Sequence, residues 1–255
     1  AGVAGAETAM PFALDWKFEG PAAPYFVAVD KGYFAQADLS VEISAGQGSL
    51  DAIPKVATGA FPVGFADINS LIKFLDQNPV EPVGFPTREP MLADGAVAAV
   101  TGFSFSSYLN LVRLGVPEED ISTILMADHG VDLYGNAIIV NTEFAAANPD
   151  AVKGFLEAVA QGWTDAIADP AAAIPSLIER NPAADAAMEQ RRLELAIDAN
   201  VVTDWTSANG MGHIDDARMA NSLEQIKLTY EFQTEPDASL YFTDAYLPEG
   251  GFSLE

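Results

Sequence analysis

The chain has 255 residues, of which 49% are apolar, so it can form one large domain or two modest ones, and no apolar run is long enough to span a bilayer. Its 37 acidic and 12 basic residues give a net charge of −25, which repels nucleic acid and anionic lipid and argues against both as partners. It has no cysteine, which excludes disulfides, thiolate metal sites and cysteine nucleophiles.

The acidic residues are spread along the chain and are not collected in a tail. This pattern favours a solvated acidic surface, with an acidic docking face as the alternative. Residues 1–7 are small and lack the charged and apolar regions of a signal peptide, but they fit what remains after signal-peptide cleavage.

The first third of the chain alternates strand and helix patterns. Strands are predicted at 12–16, 39–43 and 61–66, and helices at 25–31, 50–58 and 67–75. Gly32 and Gly59 are suitable helix terminators. This β-α-β-α-β-α order predicts an α/β fold with a parallel sheet.

A second region begins near residue 83. It is predicted to contain helices at 88–93 and 104–113 and strands at 97–100, 121–127 and 137–141. The remainder is mostly helical, with predicted helices at 149–168, 171–179, 184–200 and 215–230. Pro149 and Pro170 mark the starts of two of them.

Five motifs occur in a recognisable order. They are Asp15-Trp16, Ala28-Val29-Asp30-Lys31-Gly32-Tyr33-Phe34, Gly46-Gln47-Gly48-Ser49, Gly64-Phe65-Ala66-Asp67, and Asn148-Pro149-Asp150 through Phe155-Leu156. Each is weak alone. Together, over most of the chain, they resemble the NMT1/THI5-like family, the periplasmic binding proteins of the nitrate, sulfonate, taurine and thiamine-precursor group.

The resemblance implies a two-lobed, type II-like periplasmic-binding-protein fold, in which each lobe is a parallel-type sheet flanked by helices and the ligand lies in the cleft between them. Lobe one would comprise residues 1–80 and 138–255, and lobe two residues 81–137. The implied protein is a periplasmic monomer without a cofactor or bound metal, which delivers a small solute to the membrane permease of an ABC importer.

The second lobe is unusually short under this division. About fifty residues are too few for a lobe with its own core. The junction from Asp76 to Pro82 is also abrupt, with no strand-helix units where the family has them. We therefore expect that a segment is absent near residues 78–84.

Candidate binding residues follow the predicted strands, where helix N-termini and ligands meet in parallel α/β sheets. They are Gly48 and Ser49, then Asp67 and Asn69, then Gly102, Phe103 and Ser104. Each has a structural alternative: Ser49 and Asp67 could simply be helix N-caps, and Phe103 could be a core residue.

Aromatic residues supply further candidates. Trp16 follows the first strand and could stack on a flat ligand, with core packing as the alternative. Tyr134 precedes the return crossing and could offer its hydroxyl group, while Trp205 is a weaker candidate. We expect Trp16 and Phe103 to face each other across the ligand, with Ser49 and Asp67 orienting it.

The sequence does not favour catalysis. Neither His129 nor His213 has a partner at metal-ligand spacing, and no nucleophile elbow or phosphate-binding loop is present. Some relatives of this fold make the thiamine pyrimidine with a cysteine-rich motif, which is missing here. The alternative of a cleft enzyme would use His129 or Asp67 as acid or base.

The predicted cleft is poor in positive charge. Lys17 and Arg88 are its only obvious basic residues, and Asp51 and Asp67 occupy first helical turns. This favours a neutral, cationic or zwitterionic solute with a flat or apolar part, such as a pyrimidine-like thiamine precursor. The alternative is a sulfonate such as taurine, bound by Gly48, Ser49 and Arg88.

Overall fold

The computed structural model describes residues 7–77 and 88–254. The described strands are β1 (Thr8–Ala9), β2 (Phe12–Ala13), β3 (Leu39–Ser40), β4 (Ile43–Ser44), β5 (Val63–Asp67) and β6 (Asn136–Val140). The described helices are α1 (Ala23–Asp30), α2 (Tyr33–Gln36), α3 (Ser49–Ala57), α4 (Ile68–Gln77), α5 (Arg88–Ala93), α6 (Ser104–Arg113), α7 (Thr142–Ala147), α8 (Pro149–Ala168), α9 (Pro170–Arg180), α10 (Ala186–Ala196), α11 (Asp204–Asn209) and α12 (Asp216–Lys227). None of these helices is long and apolar enough to cross a membrane.

The central sheet has the strand order β4-β2-β5-β6. Its first three strands are parallel, as the alternating strand and helix patterns predict, and β1 pairs with β3 in the same sense. The last strand, β6, runs antiparallel to β5, with Asp67 opposite Asn136. The start of β6 therefore lies at the same edge of the sheet as the carboxyl end of β5.

Helices cover both faces of this sheet. Phe12 of β2 packs into the core beneath α1 and α8, whereas its neighbour Ala13 packs with Ile53 and Val56 of α3 on the other face. This follows from the alternation of side chains along a strand. The buried strands and their two helical layers give the α/β architecture expected from the sequence.

The larger core is rich in aromatic side chains. The ring centroid of Phe12 lies 5.2 Å from that of Tyr25 and 5.1 Å from that of Phe155, both in edge-on geometry. Helices α1 and α8 approach closely because Gly162 has no side chain: a Cβ there would lie 2.2 Å from the carbonyl oxygen of Pro24. Burial of these rings fixes the first helix against the sheet.

Two adjacent arginines on α10 hold α6 in place. Arg192 is only 3% exposed; it pairs with Glu189, which also accepts a hydrogen bond from the backbone N–H of Gly20 at 2.6 Å. The Arg192 guanidinium further donates to the carbonyl oxygen of Phe105 at 3.2 Å. Arg191, on the exposed side, forms a forked pair with Glu118.

The region between α5 and β6 differs from expectation. The strands predicted at 97–100 and 121–127 do not form, and within 88–135 the structure describes only α5, α6 and short 3-10 turns. Apolar residues that would have lined such a sheet are exposed, among them Ile124 (72%) and Met126 (54%). A strand needs a partner on its edge and a covered face, and this segment offers neither.

Most helices predicted from the sequence are confirmed within a few residues, including α5, α6 and α8 with their predicted bounds. The helix predicted at 184–200 ends earlier as α10, and a π-helical turn, Ile197–Val201, follows it. The predicted boundary between lobe one and lobe two at residues 80 and 81, and the segment expected to be absent near 78–84, lie outside the described residues.

Candidate functional site

Four polar residues meet at the carboxyl edge of the central sheet. Asp15 follows β2, Ser49 begins the helix after β4, Asp67 ends β5, and Asn136 begins the antiparallel β6. Because β2 lies between β4 and β5, the loop that carries Asp15 lies between Ser49 and Asp67, and Asn136 is on the next strand beyond β5. This is the edge where ligands bind in open α/β sheets.

Asp15 is the centre of this group. Its Oδ2 accepts hydrogen bonds from Asn136 Nδ2 at 2.6 Å and from Ser49 Oγ at 3.4 Å. Burial raises the pKa of the Asp15 carboxyl, and the hydrogen bonds from Asn136 and Ser49 oppose this rise. The arrangement holds a carboxylate in a fixed orientation, largely out of water.

The glycine-rich loop after β4 packs tightly against the Asp15 backbone. Gly48 N–H donates to the carbonyl oxygen of Asp15 at 2.6 Å. A Cβ on Gly46 would lie 2.2 Å from the carbonyl oxygen of Leu14, so no other residue fits there without moving the backbone. Gly48 itself has φ 124°, a conformation that favours glycine. Two glycines are therefore needed to bring Ser49 to the sheet edge.

Ser49 is not the N-cap of α3, which corrects the structural alternative considered for it. The N-cap residue is Gly48, and Ser49 is the first residue of the helix. Its hydroxyl donates to Asp15 and accepts the backbone N–H of Asp67 at 3.0 Å. The side chain thus links two strands across the edge.

Asp67 does cap its helix. Its Oδ2 accepts from the N–H of Ser70 at 2.9 Å and from the Ser70 hydroxyl at 2.8 Å. Its Oδ1 accepts from Asn69 Nδ2 at 2.8 Å and from the Asn69 N–H at 3.3 Å. The alternative role of Asp67 as a helix N-cap is therefore confirmed. The first turn of α4 occupies both oxygens of its carboxylate.

Asn69 and Tyr134 lie beside this group. Asn69 Nδ2 donates to the carbonyl oxygen of Tyr134 at 2.7 Å. The Tyr134 hydroxyl accepts the N–H of Asp215 at 2.7 Å, and the Arg218 guanidinium lies 4.3 Å from the ring centroid. Burial raises the pKa of Tyr134. The tyrosine therefore connects the sheet edge to the start of α12.

Trp16 follows Asp15 and is partly buried, with Lys17 Nζ 5.5 Å from its ring centroid. This cation–π contact is compatible with a ring that borders the edge. The stacking role expected for Trp16 remains a prediction.

The other candidates form a second group on α5 and α6. Arg88 is the first residue of α5, and a Cβ on Gly102 would lie 3.7 Å from Arg88 Nη2. Ser104 begins α6. Phe103 is 49% exposed and stacks on Phe105, with centroids 5.1 Å apart, so the core alternative is wrong for this ring. Its position across a ligand from Trp16 remains a prediction.

The histidines lie elsewhere. His129 ends a short exposed 3-10 turn, Ala127–His129. His213 lines an open depression of about 520 Å³ with Trp205, Asp215 and Asp216. In the part of the chain that the structure describes, no group of three or more histidine or acidic residues could hold a metal ion.

Two residues at the edge were not among the sequence candidates. Asp15 entered the sequence analysis only as part of a motif, since it lies inside the strand predicted at 12–16. The observed β2 ends at Ala13, so Asp15 follows the strand as the other candidates follow theirs. Asn136 could not be found by that signal, because it begins an antiparallel strand whose pairing the sequence does not specify.

A family model described as NMT1/THI5 like matches residues 21–84 and 72–173. A curated relative, the riboflavin-binding protein RibY of Chloroflexus aurantiacus, is 23% identical over 176 residues, which cover 68% of this chain and 48% of that protein. The chain therefore spans about half the length of this relative.

Solved structures show the fold. The periplasmic aliphatic sulphonate binding protein SsuA of Escherichia coli has a TM-score of 0.57 at 12% identity, covering 94% of this chain and 99% of that one. The alkanesulfonate-binding SsuA of Xanthomonas axonopodis pv. citri, bound to MOPS, has a TM-score of 0.56 at 13% identity, covering 91% and 95%. The periplasmic-binding-protein fold predicted from the sequence is confirmed, and these relatives are binding proteins rather than enzymes.

Proposed function

The chain belongs to the NMT1/THI5-like family, and from this premise we propose that it is the extracytoplasmic solute-binding component of an ABC importer. It binds a small organic solute, carries it to a membrane permease and releases it unchanged. We place it in the periplasm as a monomer. The names of its relatives, which describe binding proteins for riboflavin and sulfonates, support a role in solute capture.

The observation that carries this proposal is the polar group at the sheet edge. Four chain segments that are distant in sequence bring Asp15, Ser49, Asp67 and Asn136 together where open α/β sheets bind ligands. A surface loop has no structural need for such convergence. A small solute, in contrast, requires a few precisely oriented polar groups.

We propose that the solute lies between two lobes, lobe one being residues 1–80 and 138–255 and lobe two residues 81–137. The return of the chain through β6, antiparallel to β5, supports the second boundary. Asp15, Ser49 and Asp67 of the sheet-edge group lie in lobe one. Asn136, which is next to the second boundary, lies in lobe two together with Arg88, Gly102, Phe103 and Ser104. A ligand that contacts both lobes favours the closed state over the open one.

A flat, amine-bearing solute is favoured, and a pyrimidine-like thiamine precursor is one that fits. Trp16 would stack on the ring of the solute, while a carboxylate at the edge would accept from the amino group of the solute. A sulfonate is the second candidate. The N–H groups at the start of α3, next to Gly48, and the guanidinium of Arg88 support that alternative.

Thermal shift with a panel of pyrimidines, flavins and sulfonates tests the proposal. A ligand that binds only the folded chain raises the melting temperature in proportion to ln(1 + [L]/Kd). At least one solute of the panel is expected to give a saturable rise. Chemical conversion of that solute by the protein would disprove the proposal.

A further inference from the structure

We infer that Asp15, oriented by Asn136 and Ser49, is the recognition site for an N–H donor of the solute, so that the transported class bears an amine, amidine or amino-heterocycle group. This inference rests on the proposed function and narrows its substrate class. It also assigns the recognition to a residue other than Asp67.

The two carboxylates at the edge differ in their unused acceptor capacity. Asp67 receives four hydrogen bonds from Asn69 and Ser70, two on each oxygen. The side chains that donate to Asp15 both use Oδ2, and no described side chain donates to Oδ1. Asp15 therefore retains an oxygen that can accept from a ligand.

The ion pairs formed by the described residues include neither Asp15 nor Asp67. In the described part of the chain, the acidic residue of this edge that forms an ion pair is Asp51, with Lys55 Nζ at 2.7 Å. A carboxylate that is largely removed from water and meets only neutral donors is costly unless a charge or further donors reach it. A solute ammonium or amidinium group would supply both.

Other acceptors at this edge are also unsatisfied. The side-chain oxygens of Asn69 and Asn136 are buried and have no hydrogen-bond partner among the described residues. The amide nitrogens of the same two residues are already committed to Tyr134, Asp67 and Asp15. Because buried polar atoms are normally paired, the edge has an excess of acceptors that a donor-bearing solute would reduce.

The excess of acceptors also separates the possible substrate classes. A sulfonate presents only acceptor oxygens and a negative charge, and it would meet the carboxylates of Asp15 and Asp67 without a compensating side-chain cation beside them. An amino group presents donors and, when protonated, a positive charge. The edge is therefore complementary to the amine class.

Calorimetry with matched probe pairs tests the inference. One pair is 4-amino-2-methylpyrimidine and 4-methoxy-2-methylpyrimidine, which has no N–H donor; others are alkyl and benzyl amines with their methyl ether counterparts, and ethanesulfonate represents the anions. The tightest binder of the panel is expected to carry an N–H donor and to bind at least about tenfold tighter than its counterpart. This comparison uses the unmodified chain and needs no variant.

Two charge-matched variants then locate the contact. Asp15→Asn is expected to weaken the tightest probe by about tenfold or more, because it removes the charge and keeps the size. Asp51→Asn removes the same charge from the same edge and should change the affinity less than about twofold, since Asp51 has its own lysine. Melting curves without probe verify that both variants are folded.

If a probe binds but the ether member of its pair binds as tightly, or if Asp15→Asn leaves the affinity unchanged, the inference is overturned while the proposed function stands. If ethanesulfonate binds best, the sulfonate alternative replaces it. If no member of the panel binds, both the proposed function and the inference fail.

Discussion

At the scale of a single residue, the fixed orientation of the Asp15 carboxylate conflicts with the cost of burying its charge. Asp15 is held by Asn136 and Ser49, yet its charged form is disfavoured in the folded chain because burial raises its pKa above the ordinary value of 3.8. A group whose pKa is raised on folding destabilises the native state at any pH where it is ionised. Sites that bind ligands often retain such unfavourable groups.

Asp15→Asn is therefore expected to raise the melting temperature at pH 7, because it removes the charge and keeps a side-chain oxygen for Asn136 and Ser49. The stability gain should shrink as the pH falls through the raised pKa of Asp15 toward 3.8, since protonation then relieves the parent chain. Differential scanning calorimetry between pH 4 and 8 measures this. A melting temperature below that of the parent at pH 7, or a gain that does not change with pH, would contradict the assignment.

Asp67 has the opposite role, because its carboxylate caps α4. Asp67→Ala removes acceptors for the N–H groups of Asn69 and Ser70 and should lower the free energy of unfolding by about 1–2 kcal/mol. Asp67→Asn keeps one acceptor and should lower it less. Urea denaturation compares the two variants. Equal losses would show that the cap geometry is not what stabilises this turn.

At the level of elements, the helices and the strands of the first third are predictable from local patterns, because amphipathic spacing and helix-ending glycines act within a few residues. The strands predicted at 97–100 and 121–127 are wrong for a non-local reason. Continuous apolar residues such as those at 97–100 suit a buried strand only if a sheet receives them. The antiparallel pairing of β6, which brings Asn136 to the site, is likewise set by tertiary structure.

The attachment of α6 to α10 depends on a buried arginine. Arg192→Met leaves Glu189 buried without its partner and removes the bond to Phe105, so the free energy of unfolding should fall by about 3 kcal/mol or more. The neighbouring Arg191 provides the control, because its pair with Glu118 is exposed. Arg191→Met should have a much smaller effect in the same urea titration. Equal effects would show that burial of the Glu189 pair is unimportant.

At the level of the whole molecule, recognition requires contacts from both proposed lobes. The family model matches in two ranges that overlap at residues 72–84. From this overlap and the abrupt junction at 76–82 we propose that a segment present in other family members is absent from this chain near 78–84. A shortened second lobe would explain why apolar residues such as Ile124 are exposed.

The aromatic residues test the two-lobed arrangement. Trp16→Ala and Phe103→Ala should each weaken a flat ligand by about 1 kcal/mol or more, because each removes a stacking face. Phe61→Ala is the control, since Phe61 precedes β5 and lies at the opposite edge of the sheet. Calorimetric titration of the three variants decides whether Trp16 and Phe103 both contact the ligand. If Trp16→Ala and Phe103→Ala both bind the ligand as tightly as the parent chain does, the residues of the polar loops alone account for recognition.

The central claim is that the chain binds a small organic solute at the carboxyl edge of its sheet and releases it unchanged. The most direct measurement is calorimetric titration with the tightest solute of the panel, followed by mass spectrometry of the solute recovered after denaturation. We predict one saturable site per chain, weakened by Asp15→Asn, and a recovered solute of unaltered mass. A product of different mass, or saturable binding to which Asp15, Trp16 and Phe103 all contribute nothing, would contradict the account.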